Sequence, residues 1–370
     1  MAGPPGAVQA VMQKQIILKT SPQPSFGTVA AVADPAGTTL GTEQLSPDAW
    51  SIVLAGGEGE RLRVLTKRWL GAHRPKQYCA FVGNRSMLQH TLDRAVVLSG
   101  TDRTLVVVAR QHAPDVWEHL DKIHWEQTIL QPRNCGTGPG IFLPLAHIYL
   151  KNPDAIVLIL PSDHFVFPEA GFLAALQRVV ATARRLPDKL VLLGAHADGP
   201  ETEYGWIEPG SIIDRVDGHV VRTVKRFREK PNQADAETLL AAGGLWNTMV
   251  MAARVKTLWE LGRHVPAMIT AFGDLTHYLG SERESQMLDS IYESMPNVNF
   301  SSQLVEKIPA ATVVVELRDV VWSDWGNEER ITETLGRIGK TPLFTKPLVV
   351  PAVPTGLHTG SGGERQARAA

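Results

Sequence analysis

Short, mainly apolar runs recur through the middle of the chain, at 51–55, 105–109, 155–160 and 190–195. Such runs are typical of strands that are covered on both faces, as in a parallel sheet. Segments with helical spacing lie between them, at 86–98, 140–150 and 171–185. The first of these segments begins with Ser86 and Gln89, which form the Ser-x-x-Gln pattern of a capping box. The alternation predicts an α/β fold with an open, mostly parallel, Rossmann-like sheet that is flanked by helices.

The pattern changes after Gly199. In this second half we predict strands at 219–227 and 312–317, and helices at 233–242, 256–261 and 328–339. We expect these elements to extend the same sheet and to form a small lid over it, because no linker separates them as a free domain.

Both ends of the chain are rich in Pro, Gly, Ala, Thr and Ser and show no sustained periodicity. We therefore predict disordered tails at 1–47 and 347–370, on either side of one folded domain at 48–346. A short strand at 15–18 is the one element that the first tail suggests.

The composition is that of an ordinary globular protein, with 44% hydrophobic and 20% charged residues. A net charge of −1 gives no reason to expect a nucleic-acid partner. The two cysteines, Cys79 and Cys135, fit a reducing compartment better than a disulfide framework. The chain does not begin like a signal peptide, and its apolar runs are too short to cross a bilayer. These features predict a cytoplasmic protein with no membrane contact.

A glycine-rich loop follows the first predicted strand and is the strongest functional signal. Gly56, Gly57 and Gly59 would let backbone N–H groups approach an anion, and basic residues come next along the chain. These are Arg61, Arg63, Lys67, Arg68, Arg74 and Lys76. The combination suits a polyphosphate, whereas the alternative is a tight turn with a solvated basic surface.

Spacing excludes two common phosphate-binding motifs. The dinucleotide fingerprint needs a third glycine where Leu62 stands, which argues against an NAD(P)-dependent oxidoreductase. A P-loop needs Gly-Lys-Ser/Thr, but Glu60 and Arg61 follow Gly59.

Six segments, in order, resemble the sugar-1-phosphate nucleotidyltransferases, and specifically the mannose-1-phosphate guanylyltransferase branch. They are LAGGEGERL with RPKQY, QPRNCGTGPGI, LPSDH, TEYGWIEPG, FREKPN with LWNTMV, and VWSDWGN. The resemblance covers about 50–338. It implies the condensation of GTP with mannose-1-phosphate by attack of a sugar phosphate oxygen on the α-phosphorus, with release of pyrophosphate. Such transfer depends on positioning and charge neutralisation, and it needs no protein nucleophile.

The resemblance assigns roles to particular residues. Arg61 and Lys76 would be catalytic, stabilising the pyrophosphate and the charge near the α-phosphate. Asp163 and Asp324 would hold Mg²⁺, although Asp163 alone is equally typical of a helix N-cap or turn and Asp324 alone favours a turn. The residues implied in nucleotide binding are Leu54, Ala55, Gly56, Gly57, Gly59, Asn134, Gly136 and Thr137. Those implied in sugar-phosphate binding are Tyr204, Gly205, Glu229, Lys230 and Asn247.

Four tryptophans lie near these sugar-binding positions, at Trp206, Trp246, Trp322 and Trp325. Aromatic rings at these positions would line a sugar-binding site, but we expect at least half of the four tryptophans to pack in the core instead.

Four features depart from the usual pattern of these enzymes. Glu60 stands beside the arginine where relatives usually have threonine, and the segment between Leu62 and Pro75 is longer. Cys135 replaces a frequent arginine, and Met249 stands where a glycine is usual, which would crowd the sugar.

Two alternatives stay open. One keeps the chemistry but uses another hexose-1-phosphate or nucleoside triphosphate. The other is a non-catalytic protein that binds a nucleotide sugar and regulates a partner. Relatives often dimerise, so the resemblance also suggests a homodimer.

Overall fold

The computed structural model describes residues 48–345. The two predicted tails and the predicted strand at 15–18 therefore lie outside the described residues. Within this part of the chain, no helix combines the length and apolar content that a membrane crossing requires.

The strands are β1 (Ala49–Leu54), β2 (Thr104–Ala109), β3 (Thr128–Gln131), β4 (Ile156–Pro161), β5 (Phe165–Phe167), β6 (Leu190–His196), β7 (Gly205–Val216), β8 (His219–Glu229), β9 (Leu245–Arg254), β10 (Thr312–Leu317) and β11 (Val321–Ser323). The helices are α1 (Arg63–Leu70), α2 (Met87–Ser99), α3 (Ala113–Val116), α4 (Thr137–Lys151), α5 (Glu169–Arg185), α6 (Gln233–Ala241), α7 (Val255–Leu261), α8 (Pro266–Thr276), α9 (Glu284–Ser294), α10 (Phe300–Gln303) and α11 (Glu328–Arg337).

One nine-stranded sheet organises the chain, in the order β3-β2-β1-β4-β9-β6-β10-β8-β7. β1 pairs in parallel with β2 and β4, and β10 pairs in parallel with β6. β8 and β9 run against their neighbours, so the sheet is mixed but mostly parallel, as predicted. β5 and β11 form a separate antiparallel pair.

Helices cover both faces of the sheet, which explains the continuous apolar runs of its strands. Neighbouring residues on β1 point to opposite faces. Val53 packs in the core that includes α2 and α5, whereas Ile52 packs in the core that includes α4, α8 and α9. A strand buried on both faces has no room for a polar alternation. The strands and helices predicted within 48–345 are all present, with small differences in their ends.

The second half extends the same sheet, as predicted, through β7, β8, β9 and β10. The predicted strand at 219–227 is β8, which forms a long hairpin with β7. Whether part of this half closes over a sugar stays a prediction.

A third, smaller core joins α1 to α11 beside the glycine loop. Leu62 and Leu65 pack there with Phe81, Trp325 and Leu335, all almost fully buried. This core fixes the position of the chain after β11 relative to the loop after β1, although more than 250 residues separate them in sequence.

Truncating a side chain in this small core should destabilise the domain. We expect Leu335→Ala to lower the free energy of unfolding by about 2–5 kcal/mol, because it leaves a cavity among buried apolar groups. Glu333→Ala, on the exposed side of the same helix, should change it by less than about 0.5 kcal/mol. Urea denaturation measures both, and equal stabilities for the two variants would contradict this description of the core.

Candidate active site

The glycine loop lies at the carboxyl end of β1, and packing against backbone requires a glycine at Gly59, whereas Gly56 faces the end of a flexible side chain. Gly59 has φ +67°, and a Cβ there would lie 2.8 Å from Cα of Pro75. A Cβ on Gly56 would lie 2.8 Å from Nε2 of Gln131. By contrast, a Cβ on Gly57 would meet no atom within 4 Å, so this position borders open space. The loop is therefore closely packed at Gly56 and Gly59 and open at Gly57.

Gln77 and Tyr78 hold the carbonyl groups of this loop. Nε2 of Gln77 donates to the carbonyls of Ala55 (3.1 Å) and Gly57 (2.8 Å), and the Tyr78 hydroxyl donates to that of Ala55 (3.0 Å). Both side chains are buried. With two carbonyls turned into the protein, the loop presents less negative potential to an anion. Sequence reasoning singled out Lys76 of the Arg-Pro-Lys-Gln-Tyr segment and missed these two neighbours.

Two adjoining cavities lie over the loop, and Asp163 lines both. The first, of about 300 Å³, is lined by Leu54, Gly56, Gly57, Gln77, Val107, Gln131, Asn134, Gly136, Thr137, Gly140, Pro161, Ser162, Asp163, His164 and Met249. The second, of about 270 Å³, is lined by Glu58, Gly59, Glu60, Arg61, Leu62, Lys76, Asp163 and Gly326. The structure therefore brings together the residues predicted to bind nucleotide and those predicted to be catalytic. Ala55 is the exception, since it is buried beneath the loop.

The loop before α4, which contains three of the residues implied in nucleotide binding, is fixed against a second loop. Backbone bonds join Val298 N to Cys135 O (2.9 Å) and Gly138 N to Val298 O (2.8 Å). The Thr137 hydroxyl accepts from Phe300 N (2.8 Å), and Asn134 accepts from the N–H of Gly136 (2.9 Å). A recognition loop held in this way is pre-organised for a ligand.

Asp163 lies two residues beyond β4 with its carboxylate partly exposed at the cavities. Its Oδ2 is 3.1 Å from Nζ of Lys76, and its Oδ1 is 3.6 Å from Nε2 of His164. Burial opposes ionisation of this carboxyl, but the charges of Lys76 and His164 outweigh it and hold its pKa below the usual value. Asp163 is therefore an ionised carboxylate with room for a further partner.

Asp324 follows β11, and its buried carboxylate already has several partners. Oδ1 accepts from the Tyr204 hydroxyl (2.8 Å), the N–H of Gly326 (2.9 Å) and Nη1 of Arg330 (3.1 Å). Oδ2 is 3.1 Å from Nη2 of Arg61. Burial would raise the pKa of Asp324, but Lys76 and Arg61 lower it far below the usual value.

Lys76 lies between the two aspartates and is almost fully buried. Its ammonium pairs with the Asp163 carboxylate and also donates to the backbone carbonyl of Asp324. One lysine thus contacts both aspartates that were predicted to hold a metal, Asp163 through its carboxylate and Asp324 through its backbone carbonyl.

The donor set fits a hard cation only in part. Within residues 48–345, no group of three or more His, Cys, Asp or Glu side chains is arranged to hold a metal ion. Asp163 is available, whereas Asp324 would offer Oδ2 only after Arg61 moves away. Mg²⁺ commonly binds one or two carboxylates together with substrate phosphates and water. Asp163 suits such a site as it stands, whereas Asp324 suits it only once Arg61 has moved.

The five residues predicted to bind the sugar phosphate gather around the start of β7. Gly205 pairs with Glu229 across the β7–β8 hairpin, and a Cβ on Gly205 would lie 3.2 Å from Cβ of Asn247. The N–H of Lys230 donates to the carbonyl of Tyr204 (3.1 Å). Through its bond to Asp324, Tyr204 connects this group to the cavities.

An aromatic cluster lies beside these residues. The Tyr204 ring is 5.0 Å from that of Trp246 and 5.3 Å from that of Trp322, centre to centre. All four tryptophans are buried and pack in hydrophobic cores, Trp206 and Trp325 most deeply, so core packing accounts for at least half of them, in line with the expectation.

Two of the sequence departures have local explanations. The Glu60 carboxylate pairs with Nη1 of Arg63 at 2.8 and 2.9 Å, so its charge is neutralised by a neighbouring residue. The longer segment after Leu62 forms α1, which carries Arg63.

Arg330 is a further site residue that was not predicted from the sequence. It projects from α11, donates to Asp324 and to the carboxylate of Glu201, and lies over the Tyr204 ring with Cζ 4.7 Å from its centre. It therefore holds Asp324 and Tyr204 in place together.

Comparison with known proteins agrees with this architecture. The sequence model of the Nucleotidyl transferase family matches residues 50–339. The xanthan biosynthesis protein XanB of Xanthomonas campestris pv. campestris (strain B100) is 33% identical over 287 residues, 76% of this chain and 58% of that protein. A mannose-1-phosphate guanylyltransferase of Escherichia coli is 29% identical over 283 residues, 74% of this chain and 59% of that protein. The chain thus spans less than two thirds of the length of these relatives.

Among solved structures, the mannose-1-phosphate geranyltransferase from Thermus thermophilus has a TM-score of 0.65 and 29% identity, covering 78% of this chain and 79% of that one. A mannose-6-phosphate isomerase from Helicobacter pylori, at 20% identity and a TM-score of 0.56, shares the fold over 75% of this chain and 99% of its own. The motifs, the mixed sheet and the family match over 50–339 lead to one conclusion: the chain belongs to the nucleotidyl transferase family.

Proposed function

We propose that the chain condenses GTP with mannose-1-phosphate to give GDP-mannose and pyrophosphate. The observation that carries this proposal is a cavity over the glycine loop that Lys76, Arg61 and Asp163 line, with Asp324 paired to Arg61 beside it. The name of the guanylyltransferase relative supports the choice of substrates.

In this proposal the nucleotide occupies the larger cavity. The base would lie against Asn134, Gly136 and Thr137, in a loop whose backbone is held by the 298–300 segment. The triphosphate would lie over Gly57, where the structure leaves open space. Anion binding by backbone N–H groups is favoured here because Gln77 and Tyr78 bind the loop carbonyls.

The chemistry needs charge neutralisation at the α-phosphate and at the leaving pyrophosphate. Lys76 reaches this region with its ammonium fixed by two oxygen partners, so little reorganisation accompanies the reaction. Arg61 has a side chain that is 51% exposed and can exchange Asp324 for a phosphate. Mg²⁺, when bound to Asp163 and Asp324, would supply further charge neutralisation at the phosphates.

The sugar phosphate would lie near the start of β7. Burial raises the pKa of Glu229, partly offset by Lys230, and a carboxylate there would accept bonds from sugar hydroxyls. Lys230 has a half-exposed side chain that can reach a phosphate. Asn247 and Tyr204 would provide further contacts to the sugar phosphate.

We further propose that 48–346 acts as one nucleotidyltransferase domain in the cytoplasm, where its two free, buried cysteines stay reduced. A homodimer and the absence of a nucleic-acid partner stay predictions from the sequence.

Pyrophosphate release tests the proposal. The assay combines the purified full chain, Mg²⁺, each of four nucleoside triphosphates and a panel of hexose-1-phosphates. We expect the fastest release with GTP and mannose-1-phosphate. Release only with another pair would show that the enzyme uses that nucleotide and sugar phosphate instead of GTP and mannose-1-phosphate. Binding without turnover for any pair would favour the regulatory alternative.

Asp163→Asn should separate catalysis from nucleotide binding. It removes a charge beside Lys76, so we expect the rate of pyrophosphate release to fall by at least about 100-fold. Calorimetry should show GTP affinity within about tenfold of wild type, because the glycine loop is untouched. Asp274→Asn, an exposed carboxylate on α8, serves as the control and should keep full activity. Full activity of Asp163→Asn would exclude the proposed role.

Arg61→Ala should expose the Asp324 carboxylate to a divalent cation. Without nucleotide, we expect Mn²⁺ to bind this variant at least about threefold more tightly than wild type, since the competing guanidinium is gone. Arg263→Ala removes an exposed arginine that lines neither cavity, and it should leave the affinity unchanged. Electron paramagnetic resonance measures free Mn²⁺ directly. Equal affinity in wild type and Arg61→Ala would show that Arg61 does not compete for this site.

A further inference from the structure

His73 belongs to the segment between Leu62 and Pro75, which is longer than in the enzymes that the sequence resembles. Its ring is half-buried and lines neither of the two cavities. Nε2 of this ring lies 2.9 Å from the carbonyl oxygen of Glu58, in the glycine loop. A carbonyl oxygen can only accept, so Nε2 carries a proton and donates it to the loop. The longer segment therefore reaches back to the loop.

The other ring nitrogen of His73 is held by α1. Nδ1 lies 3.3 Å from the hydroxyl of Thr66, a buried residue, and that hydroxyl is also 3.3 Å from the carbonyl of Arg63. The hydroxyl can donate to Nδ1 of a neutral ring. With a protonated ring it accepts from Nδ1 and donates to the Arg63 carbonyl. In both cases Nε2 keeps the proton that the Glu58 carbonyl needs.

The bond from His73 also sets the direction of a backbone N–H. The peptide between Glu58 and Gly59 is trans, so the Gly59 N–H points opposite to the Glu58 carbonyl. That carbonyl faces a side chain outside the cavities, whereas Gly59 lines the second cavity together with Arg61. Within residues 48–345, no backbone carbonyl accepts from this N–H.

The glycine at position 59 makes this hydrogen bond important. Gly59 has no Cβ and has φ +67°, so the peptide before it can rotate at little steric cost. Rotation would turn the Glu58 carbonyl toward a bound phosphate and the N–H away from it. Nε2 of Gln111 also binds the Glu58 carboxylate, at 2.7 and 2.8 Å, but this contact fixes the side chain and not the peptide.

We propose that His73 positions the glycine loop by fixing the peptide between Glu58 and Gly59 with its N–H toward the β- and γ-phosphates. This role rests on the proposed function, in which Arg61 binds the departing pyrophosphate in the same cavity. His73 contacts the loop and no substrate, so it is a positioning residue. The affinity for GTP should therefore depend on His73, whereas that for GMP, which lacks these two phosphates, should not.

Equilibrium binding tests the role of His73 independently of turnover. Calorimetry on the full-length protein measures the dissociation constants of GTP and GMP. His73→Met removes the donor, and we expect GTP to bind about tenfold more weakly, as the loss of a hydrogen bond to a charged phosphate predicts. GMP should bind within about twofold of its wild-type affinity. If the pyrophosphate assay selects another nucleoside, its triphosphate and monophosphate replace GTP and GMP.

Two further variants separate the hydrogen bond from packing. The amide of His73→Gln offers an N–H donor on a side chain of similar reach, so GTP should bind within about threefold of wild type. His277→Met is the same change as His73→Met at an exposed position after α8, and it should leave both affinities unchanged. Should His73→Met fail to fold, His73→Phe replaces it, because it keeps a ring without a donor.

The outcomes are distinct from those for the proposed function. Equal GTP affinity in wild type and His73→Met would overturn the role of His73, whether or not the enzyme turns over. An equal loss for GTP and GMP, or a His73→Gln variant as weak as His73→Met, would also overturn it by indicating packing alone. Lack of pyrophosphate release, with the affinities shifting as described, would remove the proposed catalysis but keep the role of His73. No binding of any nucleoside triphosphate would overturn both.

Discussion

The site depends on a buried ammonium group that joins three distant parts of the chain. Lys76 comes from the turn after the glycine loop, Asp163 from the end of β4, and the carbonyl of Asp324 from the end of β11. A buried cation is costly unless it is paired and hydrogen-bonded, so these segments are held together by the same contacts that prepare the site. The small hydrophobic core that contains Leu335 and Trp325 further stabilises this arrangement.

Charge is distributed around this lysine in a way that suits an anionic substrate. Asp324 is balanced by Arg61 and Arg330, and Glu60 by Arg63, so these two carboxylates are matched by cations. A triphosphate would then exchange partners with Arg61 instead of meeting a free carboxylate at Asp324 or Glu60. This accounts for the presence of a glutamate in the loop that would otherwise repel the phosphates.

Much of the fold could be predicted from the sequence, because burial on both faces leaves continuous apolar runs. β9 was missed since Asn247 and Thr248 interrupt its apolar pattern and Met249 bends its backbone. β7 was missed because Pro209 and Gly210 interrupt its pattern in the same way. The family motifs identified the glycine loop, Lys76 and both aspartates, and the structure brings these together. They did not identify Gln77 or Arg330, since Gln77 binds carbonyls of the glycine loop and Arg330 binds Glu201, and these pairings between separate segments exist only in the fold.

A crystal structure with a non-hydrolysable GTP analogue, Mg²⁺ and mannose-1-phosphate tests the central claim most directly. The account predicts an α-phosphate oxygen within hydrogen-bonding distance of the Lys76 ammonium, with Arg61 moved from Asp324 to the phosphates. A triphosphate bound away from Lys76, with the Arg61 and Asp324 ion pair intact, would contradict it.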